Sequence, residues 1–170
     1  MNDSNFNWDA SSFFERLTKN NRFAKENGYV FEKVSSLEGF HGALDSMTTT
    51  TAIVAVSDTS NGGLDLENTP HTRRVKTVFL AKRHAVDNMT DREECMDNMC
   101  ELFRQFMSVL ILEKIRLEEH NIIIDPRISF TEIDRYFFTG CACAYFQIAI
   151  DTYTDLTYNP DEWLNSELTQ

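Results

Sequence analysis

The stretch Gly140-Cys-Ala-Cys-Ala-Tyr-Phe-Gln-Ile-Ala-Ile-Asp-Thr-Tyr-Thr-Asp-Leu156 decides the fold. Its residues change character by twos, the period of an extended chain whose successive side chains point to opposite faces. Ala142, Ala144, Phe146, Ile148 and Ile150 fall on one face, which reads as core. Cys143, Tyr145, Gln147, Asp151 and Tyr153 fall on the other, which is mixed. The preceding stretch, Ile128 to Arg135, is also extended, so a hairpin or a long sheet edge is expected here. It carries no catalytic motif.

Working outward, Ala52-Ile-Val-Ala-Val56 is a continuous β-prone run of the kind buried on both faces, and it predicts a central strand. Arg74 to His84 predicts another, with Val75, Thr77, Phe79 and Ala81 on one side and Lys76, Val78, Leu80 and Lys82 on the other. Between them, residues 58–72 are rich in turn formers and predict a long mobile loop. Tyr29 to Val34 is short, alternating and β-prone.

Helical spacing appears in three places. Ser12-Phe-Phe-Glu15 has the form of a capping box, and apolar residues recur from it until Gly28, predicting a helix over 12–27. Leu37, Phe40, Leu44 and Met47 fit one helical face, with Gly39 and Gly42 opposing it. The strongest pattern follows a second capping box, Thr90 to Glu93. Met96, Met99, Phe103, Phe106 and Leu110 step by three and four, predicting a helix from Asp91 to Glu119, about 43 Å long at 1.5 Å per residue. Its apolar stripe is too broad for a coiled-coil seam, so it is expected to cover a sheet.

Pro126 breaks the chain before the last strands. The order predicts one α+β domain over 1–170, with a mostly antiparallel sheet of four to five strands packed on the long helix and an N-terminal helix. Residues 1–10 and 157–170 are expected to be flexible. The 170 residues, 42% hydrophobic with 13 Phe, can bury about 70% of the unfolded surface in one aromatic-rich core.

The net charge of −11 repels phosphate backbones and anionic membranes, so neither nucleic acid nor membrane is an expected partner. The basic cluster Arg73, Arg74, Lys76, Lys82, Arg83 and His84 is read as a solvated strand edge. No secretory signal or membrane span is evident, which predicts a cytoplasmic protein. The sequons at Asn2 and Asn88 then carry no weight. Cys95, Cys100, Cys141 and Cys143 match neither a C-x-x-C site nor a zinc knuckle and are expected to be reduced and mostly buried.

No residue pattern specifies a reaction. Adjacent carboxylates such as Glu93 with Glu94 diverge on a helix and read as solvated faces. Asp58, Asp65, Glu67 and His71 share the 58–72 segment, yet their spacing fits no EF-hand, and a plain loop is preferred. His120 suits a helix C-terminus, a structural role. No catalytic, cofactor or metal residue is expected.

The order of elements carried by Ile53-Val-Ala-Val56, Val75-Lys-Thr-Val-Phe-Leu80, the 91–119 helix and Phe138-Thr-Gly-Cys-Ala-Cys-Ala-Tyr-Phe-Gln-Ile148 resembles the tail-terminator or tail-completion proteins of tailed bacteriophages and prophages. That resemblance implies a small non-enzymatic protein forming a homo-oligomeric ring, commonly of six subunits. The ring would end the tail tube and meet tail-tube or head-connector proteins. The mixed face, with Tyr145, Gln147, Asp151 and Tyr153, is the expected subunit contact. The competing expectations are an adaptor that binds a partner protein, and a small enzyme with a cleft between the long helix and the strand of Cys141 and Cys143.

Overall fold

The computed structural model describes residues 8–35, 37–48, 51–57, 61–67, 69–133 and 140–164. Most of the expected flexible N-terminus and the last six residues lie outside them. The chain runs α1 (Ala10–Asn20), α2 (Arg22–Glu26), β1 (Tyr29–Val34), α3 (Leu37–Ser46), β2 (Ala52–Ser57), β3 (Asn61–Asp65), β4 (His71–Arg83), α4 (Met89–Glu118), β5 (Ile122–Ile124), β6 (Phe130–Ile133) and β7 (Cys141–Tyr153), with a 3₁₀ turn at Pro160–Glu162.

The architecture is α+β around a mixed seven-stranded sheet, larger than the four to five strands expected. The path is β1-β2-β4-β7-β5, with β3 beside β4 and β6 beside β7. β1 and β2 pair in parallel because α3 carries the chain back between them; the other pairings are antiparallel. The spine is the β4–β7 ribbon, thirteen residues a side, registered from His71 opposite Tyr153 to Arg83 opposite Cys141.

The expected 58–72 loop is corrected in part. Residues 61–65 are a strand, and β4 already begins at His71. β2 pairs with residues 78–82 of β4 and β3 with residues 71–75, so the two lie end to end along one side of it. Gly62 permits the approach, since a Cβ there would strike the backbone carbonyl of Arg73. β5 was likewise read only as a helix break. Three residues show no period of their own, and Ile122–Ile124 are held by pairing with 150–152.

Local caps shift the helix starts. Asp9, not Ser12, caps α1 by accepting from the Ser11 and Ser12 amides, and Asn88, not Thr90, caps α4. The 12–27 helix divides at Asn21, whose side-chain oxygen accepts from the Ala24 amide at 2.7 Å and starts α2 afresh. β7 starts from Gly140, whose φ of +74° is a left-handed conformation that suits glycine.

Two cores flank the sheet. On one face α1 and α4 bury Phe14, Met99, Leu102 and Phe106 against Val54, Leu80, Phe146 and Ile148. Phe146 lies 5.6 Å from Phe14 and 5.0 Å from Phe103 between ring centroids, which ties β7 to both helices. On the other face α3 and the residue after it set Phe40, Leu44 and Met47 on Ile53, Ala55, Ala81, Cys141 and Cys143. Phe40 stacks on Phe79 at 4.5 Å. The sequence expectation placed helices on one side of the sheet; α3 adds a third layer. No helix among the described residues is long and apolar enough to cross a membrane.

Candidate functional site: a half-covered sheet face

α3 covers only part of its face. The odd-numbered side chains of β4 and β7 point there. Phe79, Ala81, Cys141 and Cys143 pack against α3, whereas the other half of the ribbon carries Arg73, Val75, Thr77, Gln147, Ala149, Asp151 and Tyr153 and belongs to neither core. The register sets Arg73 opposite Asp151, Val75 opposite Ala149 and Thr77 opposite Gln147. The Gln147 amide nitrogen donates to Thr77 Oγ1 at 3.3 Å. Ile123 of β5, opposite Asp151, is 52% exposed. All five residues of β3, along the border, are exposed.

The structure places all four expected contact residues on this face. Tyr145 stands at its inner border, 6.2 Å from the Phe79 ring, and is half-buried. Gln147 and Tyr153 are exposed. Asp151 differs: it accepts from Arg73 Nη1 at 2.9 Å, while Arg73 Nη2 donates to Asp125. One guanidinium thus bridges β4, the residue after β5, and β7. The Asp125 carboxyl lies below the usual carboxylate range, because the Arg127 amide and then Arg73 donate to it. Asp151 Oδ1 is buried without a hydrogen-bond partner among the described residues.

Arg73, Val75, Thr77, Asp125 and Ile123 were missed as site residues. The alternation put Val75 and Thr77 on one side of their strand, but nothing local says which strand lies opposite. The basic cluster is also corrected: β4 is an interior strand, flanked on both sides. Arg73 serves the ion-paired bridge, and Arg83 donates to the Leu44 carbonyl at 3.0 Å.

Cys141 and Cys143 face α3, on the opposite side of the sheet from α4, so a cleft between α4 and β7 would not contain them. Both are buried, as is Cys95, while Cys100 is exposed. Burial pushes the Cys141 and Cys143 thiols up, which keeps them protonated and poor ligands or nucleophiles. Asp58 lies outside the described residues. His71 Nε2 sits 3.9 Å from Asp65 Oδ2, and no group of three or more metal-type ligands gathers among the described residues. The fold and face define an α+β protein with an open, mixed-polarity sheet surface. The chain matches no protein-family model and no curated protein.

Proposed function

We propose that the protein is a non-enzymatic structural component that assembles with copies of itself through the uncovered half of its sheet. The element order supports the tail-terminator type: a ring, commonly of six subunits, that closes a phage or prophage tail tube and meets head-connector proteins. The observation that carries the assembly reading is the half-covered face itself. In a chain of net charge −11, this patch holds aromatic, amide, hydroxyl and aliphatic groups, and its Arg73 is set between two carboxylates. Tyrosine and arginine are the residue types that anchor interfaces. The Asp151 oxygen without a partner is a further point at which a donor from a neighbour is stabilising.

A ring needs two unlike surfaces on each subunit. A second apolar surface is present across the sheet, where Ile111, Leu112 and Ile115 of α4 are 60%, 66% and 56% exposed. α4 leads directly into β5, which pairs with residues 150–152, so this helix end backs the same half of the ribbon whose front is open. Front and back surfaces so arranged favour head-to-tail contact. Native mass spectrometry over a concentration series tests the proposal. A closed oligomer of fixed size is the expected result, and a chain that stays monomeric at the highest concentration contradicts it.

A further inference from the structure

The C-terminal segment carries an unusual load of exposed apolar side chains. The last backbone tie of β7 to the sheet region is the Thr154 amide donating to the Pro70 carbonyl. Beyond it Leu156, Tyr158, Trp163 and Leu164 are exposed, Leu164 completely. The segment is nevertheless shaped. Asn159 caps the Pro160–Glu162 turn by accepting from the Asp161 amide, its own amide group donates to Glu162, and the Tyr158 and Trp163 rings stack at 6.4 Å across the turn. Pro160 fixes its own φ. A preformed aromatic clip loses less conformational freedom on docking than an unstructured peptide.

Its charge is one-sided. No lysine, arginine or histidine follows Arg135, and Asp155, Asp161 and Glu162 flank the apolar residues. The same chain offers a groove of the opposite character. Between α1 and α4 lies a cavity of about 340 Å³, lined by Arg16, Leu17, Asn20, Gln105, Phe106 and Val109 among others, with a cation and no carboxylate among its lining residues. Where the helix divides, Asn21 Nδ2 donates to Gln105 Oε1 at 2.8 Å, joining the two walls. The α1 wall contributes Arg16 to the lining, and α1 and α2 together, residues 10–26, hold four cations against two carboxylates, a local excess of positive charge in an acidic protein even with Lys19 paired to Glu15. Leu112, exposed on α4 three residues on from the groove residue Val109, extends the apolar surface.

We propose that this groove receives the Tyr158–Leu164 segment of a second copy, with Trp163 and Leu164 as anchors and Asp161 and Glu162 facing the cationic α1 wall. It rests on the reading of self-assembly and names a contact additional to the sheet face. Opposite charge steers and orients the segment, while burial of the aromatic and leucine side chains supplies affinity.

The test uses a fluorescein-labelled peptide of residues 154–164 titrated with the full-length Trp163→Ala/Leu164→Ala variant, whose own tail cannot compete. Saturable binding is expected. It should weaken about tenfold or more in a receptor that also carries Val109→Asp, and weaken as salt rises. Val109 is already 38% exposed, so an unchanged melting temperature separates lost docking from lost fold. Binding that never saturates, or is indifferent to Val109→Asp, overturns the docking. Carboxylate–lysine crosslinking of mixed isotope-labelled and unlabelled chains identifies the occupant. Crosslinks from tail to α1 between copies support the proposal, and crosslinks confined to single copies overturn it. Assembly itself is scored separately: an oligomer that is lost on altering Gln147 but whose dissociation constant is unchanged by the tail substitutions overturns the tail docking and leaves the sheet-face reading standing.

Discussion

The two halves of the β4–β7 ribbon share one backbone geometry and differ in what covers them. In residues 78–83 and 141–146, α1 and α4 pack on one face and α3 on the other. In residues 71–77 and 147–153 the second face is open. Side chains follow the cover. On that second face the enclosed half carries Phe79, Ala81, Cys141 and Cys143, whereas the open half carries Arg73, Val75, Thr77, Gln147 and Asp151. In the first, Ala81, Cys141 and Cys143 are small enough to let α3 sit close to the sheet, and Phe79 stacks on its Phe40. In the second, polar groups that pair across the strands, with Asp151 Oδ1 left over, remain compatible with water and also with a partner. The difference separates residues that hold the fold from residues available for contact.

The largest expected effect lies in the enclosed half. Phe146→Ala removes the ring at the centre of the aromatic cluster, fully buried, and is expected to cost about 3–5 kcal/mol in chemical denaturation. A loss below 1 kcal/mol would show that β7 is not the centre of the core. Arg73→Ala is next, at about 1–2 kcal/mol, because it leaves Asp151 and Asp125 without their shared cation at a partly exposed site.

The same site gives a signed pH dependence. Asp125 is depressed in the folded state, so its stabilising contribution is full above the unfolded carboxylate value of about 3.9 and fades as pH falls through the lower folded value. Without Arg73 the depression shrinks to what the Arg127 amide maintains, and the loss of stability on acidification should be shallower. An unchanged slope would show that the bridge does not set the protonation of Asp125.

Thiol chemistry sharpens the contrast without perturbing the fold. Cys100, the one exposed cysteine among the described residues, is expected to react first with a disulfide reagent near pH 8, although partial burial and the Glu132 and Asp97 carboxylates push its thiol up, and the three buried cysteines to react only as the chain opens. Rapid labelling of Cys141 or Cys143 would mean that α3 does not hold its half of the sheet closed.

Much of this was legible in the residues, and the failures have physical causes. The bounds of β1 came directly from the sequence, and β2 and α4 nearly so, because a short alternating strand, a continuous β-prone run and a helix with a broad apolar stripe each leave a local signature. β3 and β5 did not, since Asn61-Gly-Gly-Leu-Asp65 looks like a turn and three isoleucines have no measurable period; both exist through pairing with long neighbours. The mixed face of β7 was visible as mixed, but its division was not. Cys143 and Gln147 stand on one face four residues apart, and only the position of α3 makes the first core and the second surface. Arg73 facing Asp151 is a contact across 78 residues that no local pattern announces.

The smallest expected effect on stability bears most directly on the central claim, that the open half of the sheet is a surface for assembly. Gln147 is exposed, and Gln147→Arg is expected to change stability by no more than about 0.5 kcal/mol. Sedimentation velocity of the wild-type chain and this variant, at matched concentrations, is the measurement. The account predicts an oligomer for the wild type and a monomer for the variant, with the same melting behaviour at a concentration where both are monomeric. A wild-type chain that is monomeric throughout, or a variant that assembles as the wild type does, contradicts it.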